Sequence, residues 1–229
     1  LDLISHAGAS VIWYENNSSS KSVADRITFE DYRTSEQNSI CNPECRDEGM
    51  LVNLQSYIDD QNDKDILIIL HTMGSHGPAY YKRYPEEFEV FVPVCKTSQL
   101  NECNDQEISN AYDNTILYAD YFLSKVIGLL KRNSQELDTA MFYVSDHGES
   151  LGENGLYLHG MPYFMAPDEQ IDVPAVMWLN DSMSKVFDVE SIKKKEDLPL
   201  SHDNLFHTLL GLMDVETKLY DKSLDLMAK

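Results

Sequence analysis

The chain has 229 residues, 42% of them hydrophobic and 25% charged, a balance that fits one large globular domain over residues 1–229. Lys and Arg total 18 against 39 Asp and Glu, a formal net charge of -21. So acidic a surface excludes nucleic acid as a partner and tight electrostatic docking of this domain on anionic lipid.

In chain order, Ala9–Tyr14 (ASVIWY) predicts a strand that runs into Glu15 and the polar loop NNSSSKS. Met50–Asp60 predicts a short amphipathic helix. Asp65–Leu70 (DILIIL) is a continuous apolar strand of the type buried on both faces of a parallel sheet. Ile108–Leu130 carries the clearest helical pattern, with Ile108, Ala111, Thr115, Tyr118, Phe122, Val126 and Leu129 at three- and four-residue spacing. Thr139–Ser145 and Val173–Leu179 predict two further strands. Asp181–Pro199 reads as a surface excursion, and Ser201 as the N-cap of a helix through Leu205–Leu212. Strands alternating with helices predict an α/β sheet with helices on its faces. No apolar run approaches the roughly 20 residues that a membrane-spanning helix needs. Leu1 is not a methionine, and the chain reads as cut within a longer polypeptide, so any targeting segment would lie upstream.

Cys41 and Cys45 (CNPEC) and Cys95 and Cys103 (CKTSQLNEC) form two local pairs in turn-rich stretches. They read either as short-loop disulfides of an oxidising compartment or as ligands of a structural zinc. The spacing is not that of a zinc ribbon, which favours disulfides, but three pairings stay open.

The residues with chemistry follow the strands. Ser145–Pro162 (SDHGESLGENGLYLHGMP) sets Asp146 and His147 directly after a strand, where open α/β sheets place their ligands. A carboxylate and an imidazole there make half of a zinc site, and the glycines that follow allow a path that folds His159 back. An isolated Asp-His pair would be an ordinary capped turn; the whole segment is not. His71–Tyr80 (HTMGSHGPAY) presents His71 at a strand end and His76 beyond a Gly74 turn. His71 reads either as a core histidine or as an outer partner of a metal ligand. Asn17, Ser18 and Lys21 can donate to phosphate oxygens but, standing alone, read as a solvated loop. There is no G-x-S-x-G, Walker loop, G-x-G-x-x-G or H-E-x-x-H.

SDHGESLGENGLYLHGMP and HTMGSHGPAYYKRYP closely resemble the periplasmic catalytic domain of the lipid A phosphoethanolamine transferases, chromosomal and mobile colistin-resistance types, of the alkaline phosphatase/sulfatase superfamily. The similarity extends through SVIWYENNSSSK, NAYDN, the Cys95/Cys103 pair and HDNLFHTLL, nearly the whole chain. The resemblance implies a three-layer α/β sandwich with a mostly parallel central sheet, lacking its N-terminal part. It implies one or two zinc ions, with Asp146 and His147 as metal ligands. His76 and His159 would bind phosphoethanolamine or a second metal, and Asn17, Ser18 and Lys21 would line the substrate pocket. His71 would be an outer-shell residue. Cys41–Cys45 and Cys95–Cys103 would be disulfides, the first in a loop shorter than the family's.

The implied function is transfer of phosphoethanolamine from phosphatidylethanolamine to lipid A, with polymyxin resistance as a consequence. The implied setting is a monomeric periplasmic domain of a bacterial inner-membrane protein whose transmembrane helices lie upstream. The family's nucleophilic threonine would lie upstream too, since Thr28, Thr72 and Thr115 are in the wrong context, and this piece alone would be inactive. A sulfatase, phosphodiesterase or glycerophosphate transferase of the same fold, or a non-catalytic metal- or glycolipid-binding remnant, are the alternative readings.

Overall fold

Seven strands form three sheets among the described residues of the computed structural model, which describes residues 1–61 and 64–228; Asn62, Asp63 and Lys229, inside the predicted domain 1–229, lie outside the described residues. They are β1 (Ser10–Glu15), β2 (Thr28–Asp31), β3 (Ile66–His71), β4 (Ala140–Val144), β5 (Ser150–Leu151), β6 (Tyr157–Leu158) and β7 (Ala175–Leu179). β2, β1 and β3 lie side by side in that order, all parallel. β4 pairs antiparallel with β7, and β5 with β6. Among the described residues, no strand pairs with the second edge of β3 or of β4.

The alternation of side chains across a strand explains the layers. Ile66, Ile68 and Leu70 of β3 and Ile12 and Tyr14 of β1 face one cluster, which also takes Phe122, Val126 and Leu129 of the long helix Asp105–Asn133, and Met141 and Trp178 of the β4–β7 ladder. Leu67 and Ile69, with Val11, face the opposite cluster, closed by Ile4 of the helix Asp2–His6 and Leu210 of the helix Asp203–Leu212. Helices therefore cover both faces of the parallel sheet. Both faces of β3 are packed as expected, yet all six of its residues are only half-buried.

The long helix begins where Asn104 accepts from the Glu107 amide and Glu107 accepts from the Asn104 amide, both at 3.0 Å. On its inner face Asn114 is fully buried, accepting from the amides of Val90 and Phe91 (3.0 and 2.9 Å) and donating to the Phe91 carbonyl (2.9 Å). Asn114→Ala would leave these backbone groups without partners, a loss of about 3 kcal/mol. Urea denaturation should show a lower midpoint with an unchanged slope; an unchanged midpoint would mean that water takes over the bonds.

Several local expectations shift. Met50–Asp60 is not one helix but a 3-10 turn, Asp47–Leu51, followed by an α-helix, Leu54–Asp59. Asn38 packs against this turn so closely that a Cβ at Gly49 would stand 1.8 Å from Asn38 Oδ1. The N-cap of Asp203–Leu212 is His202, while Ser201 Oγ accepts from the Asp203 amide at 3.2 Å. The excursion Asp181–Pro199 holds two short helices, Met183–Val186 and Val189–Lys193. Both local cysteine pairs are disulfide-bonded, Cys41 to Cys45 and Cys95 to Cys103.

Candidate metal centre

The parallel register of β1 and β3 sets Trp13 beside Ile69 and Glu15 beside His71, all on one face. Glu15 is fully buried, so its carboxylate needs donors. It receives Trp13 Nε1 (3.1 Å), the Asn17 amide (2.7 Å) and His71 Nδ1 (2.9 Å). The His71 ring also packs edge-on to Trp13, with centroids 5.2 Å apart. His71 is thus committed to the strand end.

Beyond β3 the chain turns at Gly74, whose φ of +51° suits glycine, and the His76 amide bonds back to the Met73 carbonyl at 3.2 Å. Buried Asp47 accepts from the amides of Met73 (2.8 Å) and Gly74 (3.1 Å) and from Asn16 Nδ2 (2.7 Å). Burial pushes the Asp47 carboxyl up, against these three donors. Asn17 Nδ2 holds the Thr72 carbonyl at 3.1 Å, and Arg83 Nε holds the His76 carbonyl at 2.6 Å. The loop carrying His76 is therefore fastened through its backbone.

After β4, Ser145 Oγ donates to the His147 carbonyl (2.8 Å) and the Gly148 amide donates to the Gln170 carbonyl (3.0 Å). The β5–β6 hairpin then returns the chain, and residues of positive φ at Leu158 (+65°) and Gly160 (+103°) turn His159 back over His147. The two rings stack with centroids 3.6 Å apart. His76 stands edge-on to both, 5.6 Å from His159 and 6.4 Å from His147.

Three hydrogen bonds assign the ring nitrogens. His76 Nδ1 lies 2.8 Å from the Gly77 carbonyl and His147 Nδ1 lies 2.9 Å from the Gly148 carbonyl; a carbonyl only accepts, so both Nδ1 atoms carry the proton. His159 Nδ1 lies 2.9 Å from Glu149 Oε1. All three rings therefore present Nε2 for a metal ion or, once protonated, as a donor to an oxyanion.

Glu149 is buried, and its second oxygen accepts from Tyr80 Oη at 3.2 Å. Burial, then the Glu149 charge, holds the Tyr80 hydroxyl well above its ordinary range, so it stays a donor. Burial followed by the same charge raises Tyr112 as well.

His147, Glu149 and His159 offer ligand atoms that all lie within 4.8 Å of one another. The donor set, imidazole and carboxylate, fits a first-row divalent ion. Glu149 could enter the coordination sphere directly, but both its oxygens are already engaged. A carboxylate bonded to the far nitrogen of a histidine is the usual outer partner of a metal-binding imidazole. Asp146 lies on the open side, with Oδ1 3.8 Å from His147 Nε2.

The structure thus brings together His76, His147 and His159, with Asp146 at their edge. Asn17 and Ser18 sit at the neighbouring strand end, where Arg33 Nη1 donates to the Ser18 carbonyl at 2.6 Å. Lys21 is exposed, and its amide bonds to Ser19 Oγ at 3.3 Å; no contact of its side chain with the histidines is seen among the described residues. Glu149 was missed from sequence, although its place two residues after His147 was a usable signal.

A family model described as Sulfatase matches residues 3–215. The chain is 48% identical over 222 residues to the phosphatidylethanolamine transferase Mcr-2 of Escherichia coli, covering 94% of this chain and 40% of that protein. It is 43% identical over 231 residues to the phosphoethanolamine transferase EptA of Escherichia coli K12, covering 99% of this chain and 42% of that protein. The soluble domain of lipooligosaccharide phosphoethanolamine transferase A from Neisseria meningitidis superposes with a TM-score of 0.94 at 42% identity, covering 99% of this chain and 69% of that one. The chain spans about two fifths of the length of these curated relatives.

Proposed function

Since this chain belongs to the sulfatase family and, within it, to the phosphoethanolamine transferases, we propose that it is part of the periplasmic catalytic domain of a zinc enzyme moving phosphoethanolamine from phosphatidylethanolamine to lipid A. The single observation that carries this reading is the cluster of three Nε2-presenting histidines beyond the strand ends. The Neisseria neighbour is a lipooligosaccharide transferase, which supports a lipid A-type acceptor. Two disulfides suit an oxidising compartment, and no helix among the described residues is long and apolar enough to cross a membrane.

In this reading Asp146 and His147 hold zinc, together with ligands from elsewhere in the polypeptide. Bound zinc supplies a Lewis acid that lowers the pKa of a nearby hydroxyl and stabilises charge on phosphoryl oxygens. The hydroxyl is that of a threonine outside this chain, which attacks phosphorus and expels diacylglycerol. A lipid A phosphate then attacks the phosphothreonine and takes the phosphoethanolamine group. His76 and His159 steady the phosphoryl oxygens or hold a second ion, and Asn17, Ser18 and Lys21 line the substrate pocket. Among the described residues the second edges of β3 and β4 are unpaired, which supports further strands of the same polypeptide extending these sheets.

Mass spectrometry of lipid A from cells expressing the complete polypeptide tests the proposal. A phosphoethanolamine adduct is expected with the intact protein and not with Asp146→Ala. Folded, zinc-loaded protein without any adduct would remove lipid A as the acceptor.

A further inference from the structure

Positive charge is scarce in a chain with 18 basic and 39 acidic residues, yet Arg33, Arg46, Lys82 and Arg83 line one cavity of about 170 Å³, against only two carboxylates, Glu44 and Asp47. Two of these cations are already neutralised. Arg33 forks onto Asp31 (2.8 and 2.5 Å), and Lys82 Nζ lies 3.2 Å from Glu44.

Arg46 and Arg83 are different. Among the described residues neither forms an ion pair; each spends one donor on a backbone carbonyl, Arg46 Nη1 on that of Lys82 (2.7 Å) and Arg83 Nε on that of His76 (2.6 Å). The nearest buried carboxylate, Asp47, is filled by Asn16 and by the amides of Met73 and Gly74. Burial, reinforced by Arg46, pulls Arg83 down, while Glu44 and Asp47 oppose it. An arginine does not shed its proton, so two half-buried guanidinium groups stand near each other with donors to spare. Such planar forks match the oxygens of a phosphate.

We propose that the Arg46–Arg83 cavity is an oxyanion subsite that binds the phosphate monoester of a phosphorylated glycan. It lies at the root of the loop that carries His76, because Arg83 itself holds the His76 carbonyl. That the glycan is the acceptor rests on the transferase reading above; that the cavity binds phosphate does not.

The test uses the complete polypeptide stripped of metal by chelation, so that an anion cannot be held through a metal ion at the histidines. Inorganic phosphate and glucosamine 1-phosphate are titrated separately by calorimetry. Both should bind, more weakly as salt rises. The double variant Arg46→Gln/Arg83→Gln should lose about tenfold or more in affinity. Arg46→Lys/Arg83→Lys should keep part of it, which also reports an intact fold. Tighter binding of the sugar phosphate would identify a glycan-borne group as the occupant; equal binding would identify phosphate alone as what is recognised. Parent-like affinity in the double Gln variant would overturn the proposal. A lipid A adduct with no arginine-dependent phosphate binding would sink the subsite alone. Arginine-dependent binding with no adduct would sink only the transferase reading.

Discussion

His147→Ala is expected to lower zinc affinity by more than about a hundredfold, and Glu149→Ala to lower the affinity for an ion held at His159 by about ten- to a hundredfold. The two losses have different causes. His147 presents Nε2 because its Nδ1 proton is given to the Gly148 carbonyl, so its removal deletes a proposed ligand. Glu149 fixes the tautomer and orientation of His159 through the 2.9 Å bond to Nδ1. Without it the His159 ring is free to turn, and the buried Tyr80 hydroxyl loses its acceptor. Glu149→Gln separates these roles. Its amide can still accept from one partner but carries no charge, so its affinity should fall between parent and alanine variant. Competition with a chromophoric chelator measures all three. A Glu149→Ala protein with parental affinity would mean that the carboxylate serves only the fold.

Gly148→Ala is the second large effect. A Cβ at this position would lie 2.1 Å from the Glu169 carbonyl oxygen and 3.0 Å from its carbon. Both are backbone atoms, so no side chain can swing aside. The turn at Asp168–Ile171 would have to move and with it buried Gln170, whose Nε2 holds Ser150 Oγ at 2.9 Å and whose Oε1 accepts from the Met161 amide at 3.3 Å. The bond from the Gly148 amide to the Gln170 carbonyl would break as well. The expected cost is about 2–4 kcal/mol. Because His147 and Glu149 flank the glycine, zinc should be lost in step with stability. Thermal denaturation with and without zinc checks this. A parental midpoint in both conditions would show that the 168–171 turn moves at little cost.

What could be read from sequence, and what could not, divides by the range of the signal. DILIIL and TAMFYVS are apolar enough to declare strands by themselves, and the long helix carries its apolar stripe; its Asn104/Glu107 cap was overlooked, so the predicted start at Ile108 falls inside the helix. His71 and His147 were legible because they lie at or just after those strands, and His76 and His159 because glycine turns follow in the same segments. β2 was not: its four residues, TFED, lie at a sheet edge with Phe29 exposed, so neither alternation nor burial marks them. The break at Asp47–Leu51 was hidden because it depends on Asn38 packing against Gly49, a contact between separate segments. β5 and β6 are two residues each, too short for any period to register. Arg46 and Arg83 come from segments 37 positions apart and meet only in the fold, where Arg46 Nη1 bonds to the Lys82 carbonyl.

The account turns on the histidines beyond β3 and β4 forming a metal centre. Anomalous diffraction at the zinc edge, from crystals of the complete polypeptide, tests this most directly. The predicted result is a peak within coordination distance, about 2.0–2.2 Å, of His147 Nε2 and an Asp146 oxygen. A second peak between His76 and His159 would be added if a second ion binds. A zinc-containing crystal with no peak at any of these three histidines would contradict the account.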